Sequence, residues 1–352
     1  MIRILLSDDL PRSRALATAL VLVLIGLALA PFLFPGTRSL DVAAKVCVFV
    51  LLVASYDLLL GYTGIVSFAH TMFFGIGAYG VAIALKAMPG SWAAVALGVF
   101  AGLVVAVAIA LVIGLLALRV QAIFFAMVTL AVASAFLILA SQLSGFTGGE
   151  DGLTYQVPDL LGPAFRLFHH RVLGVRMDGR IITYYLIFFA AAILVLIMLR
   201  VVNSPFGRVL QAIRENEFRA EALGYRTATY RTAATCMSAS VAAIAGMLMA
   251  LWQKYTGPDT TLSLSIMIDI LLMVVIGGMG TIYGAVVGAA IFVLAQNYLQ
   301  VLMAAAAASL ADLPLLAKLV SPDRWLLWLG VLFILSVYFF PTGIVGRLRG
   351  RA

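Results

Sequence analysis

The chain has 352 residues, 64% of them hydrophobic and 11% charged, with a formal net charge of +8. A soluble domain carries about 25% charged residues, so no ordinary water-facing surface can cover this one. The basic residues stand at the ends of apolar runs rather than in one cluster, which excludes a nucleic-acid-binding patch and follows the positive-inside pattern of a membrane protein.

A helix needs about 20 apolar residues to cross a bilayer. The apolar runs predict roughly ten spans, at 15–34, 42–60, 71–85, 93–118, 123–143, 181–202, 232–252, 264–277, 282–303 and 325–340. The expectation is an all-α integral membrane protein, a polytopic helical bundle forming one transmembrane domain over 1–352. Arg3, Arg12, Arg14, Arg119, the arginines from Arg208 to Arg231, and Arg347, Arg349 and Arg351 place both termini in the cytoplasm. Arg166, Arg171, Arg176 and Arg180 fit this less well. They lie in a long mixed loop, 144–180, expected outside. The first run ends Ala28-Leu-Ala30, small-x-small like a cleavage site, but Pro31 follows directly and the run continues to Phe34, so a retained first helix is expected.

Cys47 and Cys236 lie far apart in apolar surroundings, without a CxxC, and read as buried inert thiols. Asp57 and Asp269 fall inside apolar runs. Each is either a pathway or relay carboxylate or a group satisfied by nearby hydroxyls. Ser67 and His70, at the start of the short third span, join them as pathway candidates, with a satisfied polar contact as the plainer reading of His70. Lys45 reads as a snorkelling residue.

Gly75-Ile-Gly77-Ala-Tyr-Gly80 has the G-x-G-x-x-G form, which signals a dinucleotide only between a strand and a helix. Inside a membrane span it reads as close helix packing instead. Gly75 and Gly77, with Gly277, Gly278, Gly280 and Gly284, are therefore packing candidates, as are Gly98/Gly102 and Gly288. The third and eighth spans are short and flanked by glycines, Gly61/Gly64 and Gly277/Gly278/Gly280, as in broken helices that line a pathway. Their comparable places in the two halves hint at a divergent internal duplication. The glycine-dense 145–154 segment, with Glu150 and Asp151, is either a docking patch or a solvated connector. His169 and His170 have no carboxylate or cysteine at metal-ligand spacing, and no metal is assigned.

The charged insert 204–231 stands apart. Ser204 suits a helix cap with Pro205 at the first position. Phe206, Val209, Leu210 and Ile213 form one apolar stripe. Asn216 can cap a second short helix, with Gly224 just past its end. Two short amphipathic helices are expected in the cytoplasm, exposing Arg208, Arg214, Glu215, Glu217, Arg219 and Glu221. A helix lying on lipid is the rival reading, and three glutamates among the arginines argue against it. A knob for a protein partner is favoured. None of the four lysines follows a glycine, so no G-x-x-x-x-G-K-[ST] phosphate loop is encoded.

Four blocks carry a family resemblance: 56–70 running into 73–79, Thr147-Gly-Gly-Glu-Asp-Gly-Leu153, the insert with its Ala-Ile-Arg-Glu-Asn-Glu core, and Met273-Val-Val-Ile-Gly-Gly-Met-Gly-Thr-Ile-Tyr-Gly284. Together they resemble the permease subunits of ABC importers for branched-chain amino acids, of the LivM type. The resemblance implies a type II importer fold in a bacterial inner membrane. It implies a second related permease, two cytoplasmic ATPase subunits that bind ATP and Mg, and a periplasmic substrate-binding protein. It also implies coupling to the ATPases through Ala212, Ile213, Arg214, Glu215, Asn216, Glu217, Ala220, Leu223 and Gly224. No cofactor is expected in this chain, and the expected work is alternating access without covalent chemistry. The 158–180 loop is long and arginine-rich for that family. Urea or short amides are the nearest alternative substrates. An ion-coupled secondary transporter using Asp57 and Asp269 is the rival class; an intramembrane enzyme is disfavoured, since no catalytic pair is visible.

Overall fold

The computed structural model describes residues 13–33, 36–116, 122–166, 177–309, 321–340 and 342–349. Arg3, Arg12, Arg119, His169, His170, Arg171, Arg176 and Arg351, which entered the charge and metal readings above, lie outside the described residues. The helices in chain order are α1 (Arg14–Leu33), α2 (Thr37–Thr63), α3 (His70–Ala87), α4 (Trp92–Leu116), α5 (Ala122–Gln142), α6 (Gly179–Val202), α7 (Pro205–Glu215), α8 (Glu217–Ala222), α9 (Thr227–Gln253), α10 (Leu264–Gly277), α11 (Ile282–Ser309), α12 (Trp325–Phe339) and α13 (Gly343–Arg349). Among the described residues nine stretches are long and apolar enough to cross a membrane. The chain is a multi-pass membrane protein.

The predicted third span, 71–85, is not one of those nine. It is α3, 18 residues long, preceded by non-helical backbone from Gly64 to Ala69. That backbone and α3 together run back from the end of α2 to the opposite end of the bundle. The segment starts where α2 ends, beside the charged insert, and finishes beside the 145–154 loop, where the Gly90 amide donates to the Gln156 carbonyl at 3.2 Å. Exposed peptide groups in hydrocarbon cost several kcal/mol each, so such a stretch must be walled by protein. Here the Phe68 amide donates to Thr129 Oγ1 on α5 at 3.0 Å and the Ala69 amide to Ser67 Oγ at 3.3 Å.

The core is built on α2 and α9, the two most deeply buried spans, each 27 residues long. They run antiparallel. Trp252 Nε1 donates to Asp41 Oδ1 at 2.7 Å near one end, and Ser238 Oγ donates to the Ser55 carbonyl at 2.5 Å the same distance along both helices. Each ends in a left-handed residue, Gly64 at φ 73° and Lys254 at φ 58°. Each is followed by a shorter helix that packs on the other long one: α3 on α9 after non-helical backbone, and α10 on α2 after the strand Tyr255–Thr256 and a single helical turn, Pro258–Thr261. Each short helix then meets a Gly-x-x-x-Gly helix, α3 at Gly98/Gly102 of α4 and α10 at Gly284/Gly288 of α11. The two long helices, each with the short helix that follows it, thus run antiparallel to one another.

Small residues set these crossings. A Cβ on Gly77 would stand 2.0 Å from the Ala243 carbonyl oxygen, on Gly246 1.9 Å from that of Phe74, and on Gly277 2.0 Å from that of Gly284. Backbones this close leave no room for a methyl group. Outside the core, α1, α5 and α12 present mostly apolar exposed side chains, the surface a bilayer solvates.

Candidate functional site

At the loop end, the glycine-rich segment is clamped down as an ordered cap. Strands β1 (Leu153–Thr154) and β2 (Tyr255–Thr256) pair antiparallel, Leu153 opposite Thr256. Tyr155 Oη donates to the Ala250 carbonyl at 2.9 Å, and Tyr255 Oη to the Asp151 carbonyl at 3.1 Å. Gly148, Gly149 and Gly152 all take positive φ to make these turns. Burial pushes the Tyr155 hydroxyl pKa up, and burial together with Arg180 pushes that of Lys254 down.

The four pathway candidates fall in three places. Ser67 and His70 sit together at the start of α3, both buried. His70 Nε2 pairs with Ser238 Oγ at 2.8 Å, and the ring stands edge-on to Tyr56 with centroids 4.8 Å apart. Asp57 is 1% exposed and its Oδ1 accepts from the Gly280 amide at 2.8 Å. Asp269 is separate, accepting from Gln296 Nε2 on α11 at 3.3 Å. Among the described residues no three His, Cys, Asp or Glu side chains gather in a way that could hold a metal ion.

The insert at the opposite end has its own architecture. Ser204 Oγ accepts from the Gly207 amide at 3.4 Å with Pro205 at the first helical position. Asn216 (φ −159°, ψ 101°) breaks the helix and caps α8, its Oδ1 accepting from the Arg219 amide at 2.9 Å. Gly224 (φ 90°) then closes α8 in a Schellman motif: the Tyr225 amide donates to the Ala220 carbonyl at 3.1 Å and the Gly224 amide to that of Glu221 at 2.8 Å. Val209, Ile213 and Ala220 pack with Tyr230 into a small core separate from that of the bundle. Phe206 stacks on the same Tyr230 ring, centroids 5.6 Å apart.

Arg208, Arg214, Glu215, Arg219 and Glu221 are exposed as expected, while Glu217 is half-buried. Glu217 and Glu221 turn back onto α9, Glu217 pairing with Arg231 at 2.6 Å and Glu221 accepting from Thr227 Oγ1 at 2.8 Å. Arg214 also bonds within the chain, its Nη1 donating to the Gly61 carbonyl. Ile213 and Ala220 are buried and shape the knob from inside, while Ala212, Glu215, Asn216, Leu223 and Gly224 are exposed. The sequence reading passed over Phe218, which is 84% exposed and stands with Leu223, 72% exposed, at the tip. The available signal was an aromatic residue in a polar helix, off the stripe that runs from Phe206 to Ile213.

Beneath the knob, three elements converge. The Arg214 stem lies along Gly64, with Cγ 3.3 Å from where a Cβ would be, and its guanidinium reaches the end of α2. There a Cβ on Gly61 would strike Asp57 Oδ1 at 2.2 Å and the Gly280 amide nitrogen at 2.4 Å. Gly278 (φ 116°) and Gly280 (φ 79°) form the turn from α10 to α11. Insert, long helix and turn thus meet at one point.

A family model described as "Branched-chain amino acid transport system / permease component" matches residues 39–337. The chain is 27% identical over 163 residues to the "Probable branched-chain amino acid transport permease protein LivM" of Methanocaldococcus jannaschii, covering 46% of this chain and 45% of that protein. It is 27% identical over 175 residues to the "High-affinity branched-chain amino acid transport system permease protein LivM" of Salmonella typhimurium, covering 46% and 41%, and matches the Escherichia coli protein of that name to the same extent. The matches thus span less than half the length of these relatives. No solved structure matches the chain. The family match covers most of the sequence, and the chain belongs to the branched-chain amino acid transport permease family.

Proposed function

We propose that this member of the branched-chain amino acid permease family is the membrane subunit of an ATP-driven importer for amino acids with apolar side chains. The observation that carries the reading is the insert: two short helices, rooted in the bundle core through Leu210 and holding a small core of their own, with Phe218 and Leu223 largely exposed at the tip. Exposed apolar side chains that a membrane does not cover mark a protein interface. The partner is a pair of cytoplasmic ATPase subunits, which supply the phosphate-binding loop this chain lacks. The insert end then faces the cytoplasm and the capped loop end faces a periplasmic binding protein. A second, related permease completes the pathway in an inner membrane.

The permease does no covalent chemistry in this scheme. Its task is to have two packings whose balance the ATPases shift, and glycine-lined crossings allow rigid helices to slide. The relatives' names supply the substrate class. The test is purification of the tagged chain from its own membranes, with uptake of labelled leucine measured in parallel. Two ATPases should co-purify with wild type and be lost from Phe218→Glu/Leu223→Glu. Uptake should stop with vanadate and survive collapse of the ion gradient. Uptake that follows the ion gradient and ignores vanadate overturns the reading; inhibition by urea rather than leucine overturns only the substrate class.

A further inference from the structure

We infer that Arg214 is the pin that transmits motion from the insert into the bundle, a positioning residue and not a contact for the soluble partner. This rests on the reading of the insert as the ATPase dock. Arg214 closes α7, on the side of the insert that faces the membrane domain, and its guanidinium donates to the Gly61 carbonyl. That carbonyl is among the last of α2, where helix carbonyls lack helical partners and the dipole attracts a cation. The guanidinium also lies beside the turn glycine, Nη1 being 3.2 Å from the place a Cβ on Gly280 would take. Asp57, one turn before Gly61 on α2, holds Gly280 itself through its amide.

The consequence is mechanical. A displacement of α7 pulls on the end of α2, where the non-helical Gly64–Ala69 stretch begins. Through Asp57 it also pulls on the α10–α11 turn, whose glycines at positive φ are free to pivot. The end of α2 and the α10–α11 turn are thereby moved together from one side chain. Gly61 and Gly64 belong to the same device. A side chain on Gly61 would strike Asp57 and the Gly280 amide, and one on Gly64 would crowd the Arg214 stem. Lysine is a poor substitute, because it offers a point charge in place of the planar fork.

The experiment uses the complete complex with its ATPases and binding protein. Arg214→Met keeps the apolar stem over Gly64 and removes the donor. It should retain wild-type ATPase association, while ATP hydrolysis stimulated by loaded binding protein falls at least about tenfold, with Arg214→Lys recovering part of it. Loss of ATPase association in Arg214→Met would assign the residue to the docking surface and overturn the inference, as would undiminished stimulation. A second measurement needs no variant at Arg214. Spin labels at Glu215 and Met279 should keep one distance with and without ATP, while the distance from Glu215 to Met88 changes. A Glu215–Met279 distance that shifts on ATP binding means the pin slips, and the inference fails. If wild type itself binds no ATPase, it is the importer reading that fails.

Discussion

Glu217 and Arg231 tie the second insert helix to the first turn of α9, with Oε1 and Nη1 2.6 Å apart and both side chains partly shielded. Glu217→Lys places two cations at this contact and should impair coupled transport while leaving membrane insertion intact. The pair is partly exposed, so its own contribution is about 0.2–1 kcal/mol. The charge-swapped double variant Glu217→Lys/Arg231→Glu should recover most of the activity. A double-mutant cycle in transport rate checks this; no recovery would mean Glu217 also meets the partner.

Ser238 should matter more than Ser55, although both are fully buried. The Ser238 hydroxyl joins His70 to the Ser55 carbonyl and so joins α3, α9 and α2. The Ser55 hydroxyl bonds only locally, to the Leu52 carbonyl at 2.7 Å. Ser238→Ala leaves His70 Nε2 buried without a partner, which costs about 1–3 kcal/mol. Ser55→Ala removes donor and local strain together and should cost under about 1 kcal/mol. Thermal unfolding of the two variants in detergent decides the order.

Glycines divide by what surrounds them. Gly77→Ala and Gly246→Ala drive a methyl group into backbone and should lower stability by about 1–3 kcal/mol or more. Gly224→Ala meets nothing within 4 Å, so only its φ of 90° is disturbed, at about 1–2 kcal/mol local to the insert. The first two should reduce the amount of folded protein in the membrane. The third should leave that amount unchanged and weaken ATPase association, measured by co-purification.

Lys254 holds a left-handed conformation that lysine disfavours, and burial with Arg180 depresses its pKa from 10.5. A depressed lysine destabilises the fold while it is charged, and that penalty fades as pH rises from the folded pKa to the unfolded one. Asparagine tolerates the conformation and carries no charge. Lys254→Asn should therefore raise the melting temperature near pH 7, with a smaller gain near pH 10. An equal gain at both pH values would assign the effect to backbone conformation alone.

The long crossings were legible because their signal is local: about 20 apolar residues can do little else. The caps at Ser204, Asn216 and Gly224 were legible for the same reason, each depending on neighbours a few positions away. Where partners come from distant segments, the reading ran out. Nothing near Glu217 in sequence points to Arg231, nor near Asp57 to Gly280, so the bonds these side chains make within the chain went unread. The antiparallel relation of α2 and α9 was hidden too, because inversion preserves helix lengths and glycine spacing but leaves no simple repeat along the chain.

The Gly64–Ala69 stretch has a bearing on how the protein is made. Its amides find Thr129, and the helix it leads into finds Ser238, both synthesised well after it. While His70 is leaving the ribosome, the partners that make this segment tolerable in lipid do not yet exist. The third segment should therefore settle in its final place only after α5 and then α9 are made. A truncation before α9 should accordingly yield a chain whose third segment stays accessible to water, because it lacks Ser238.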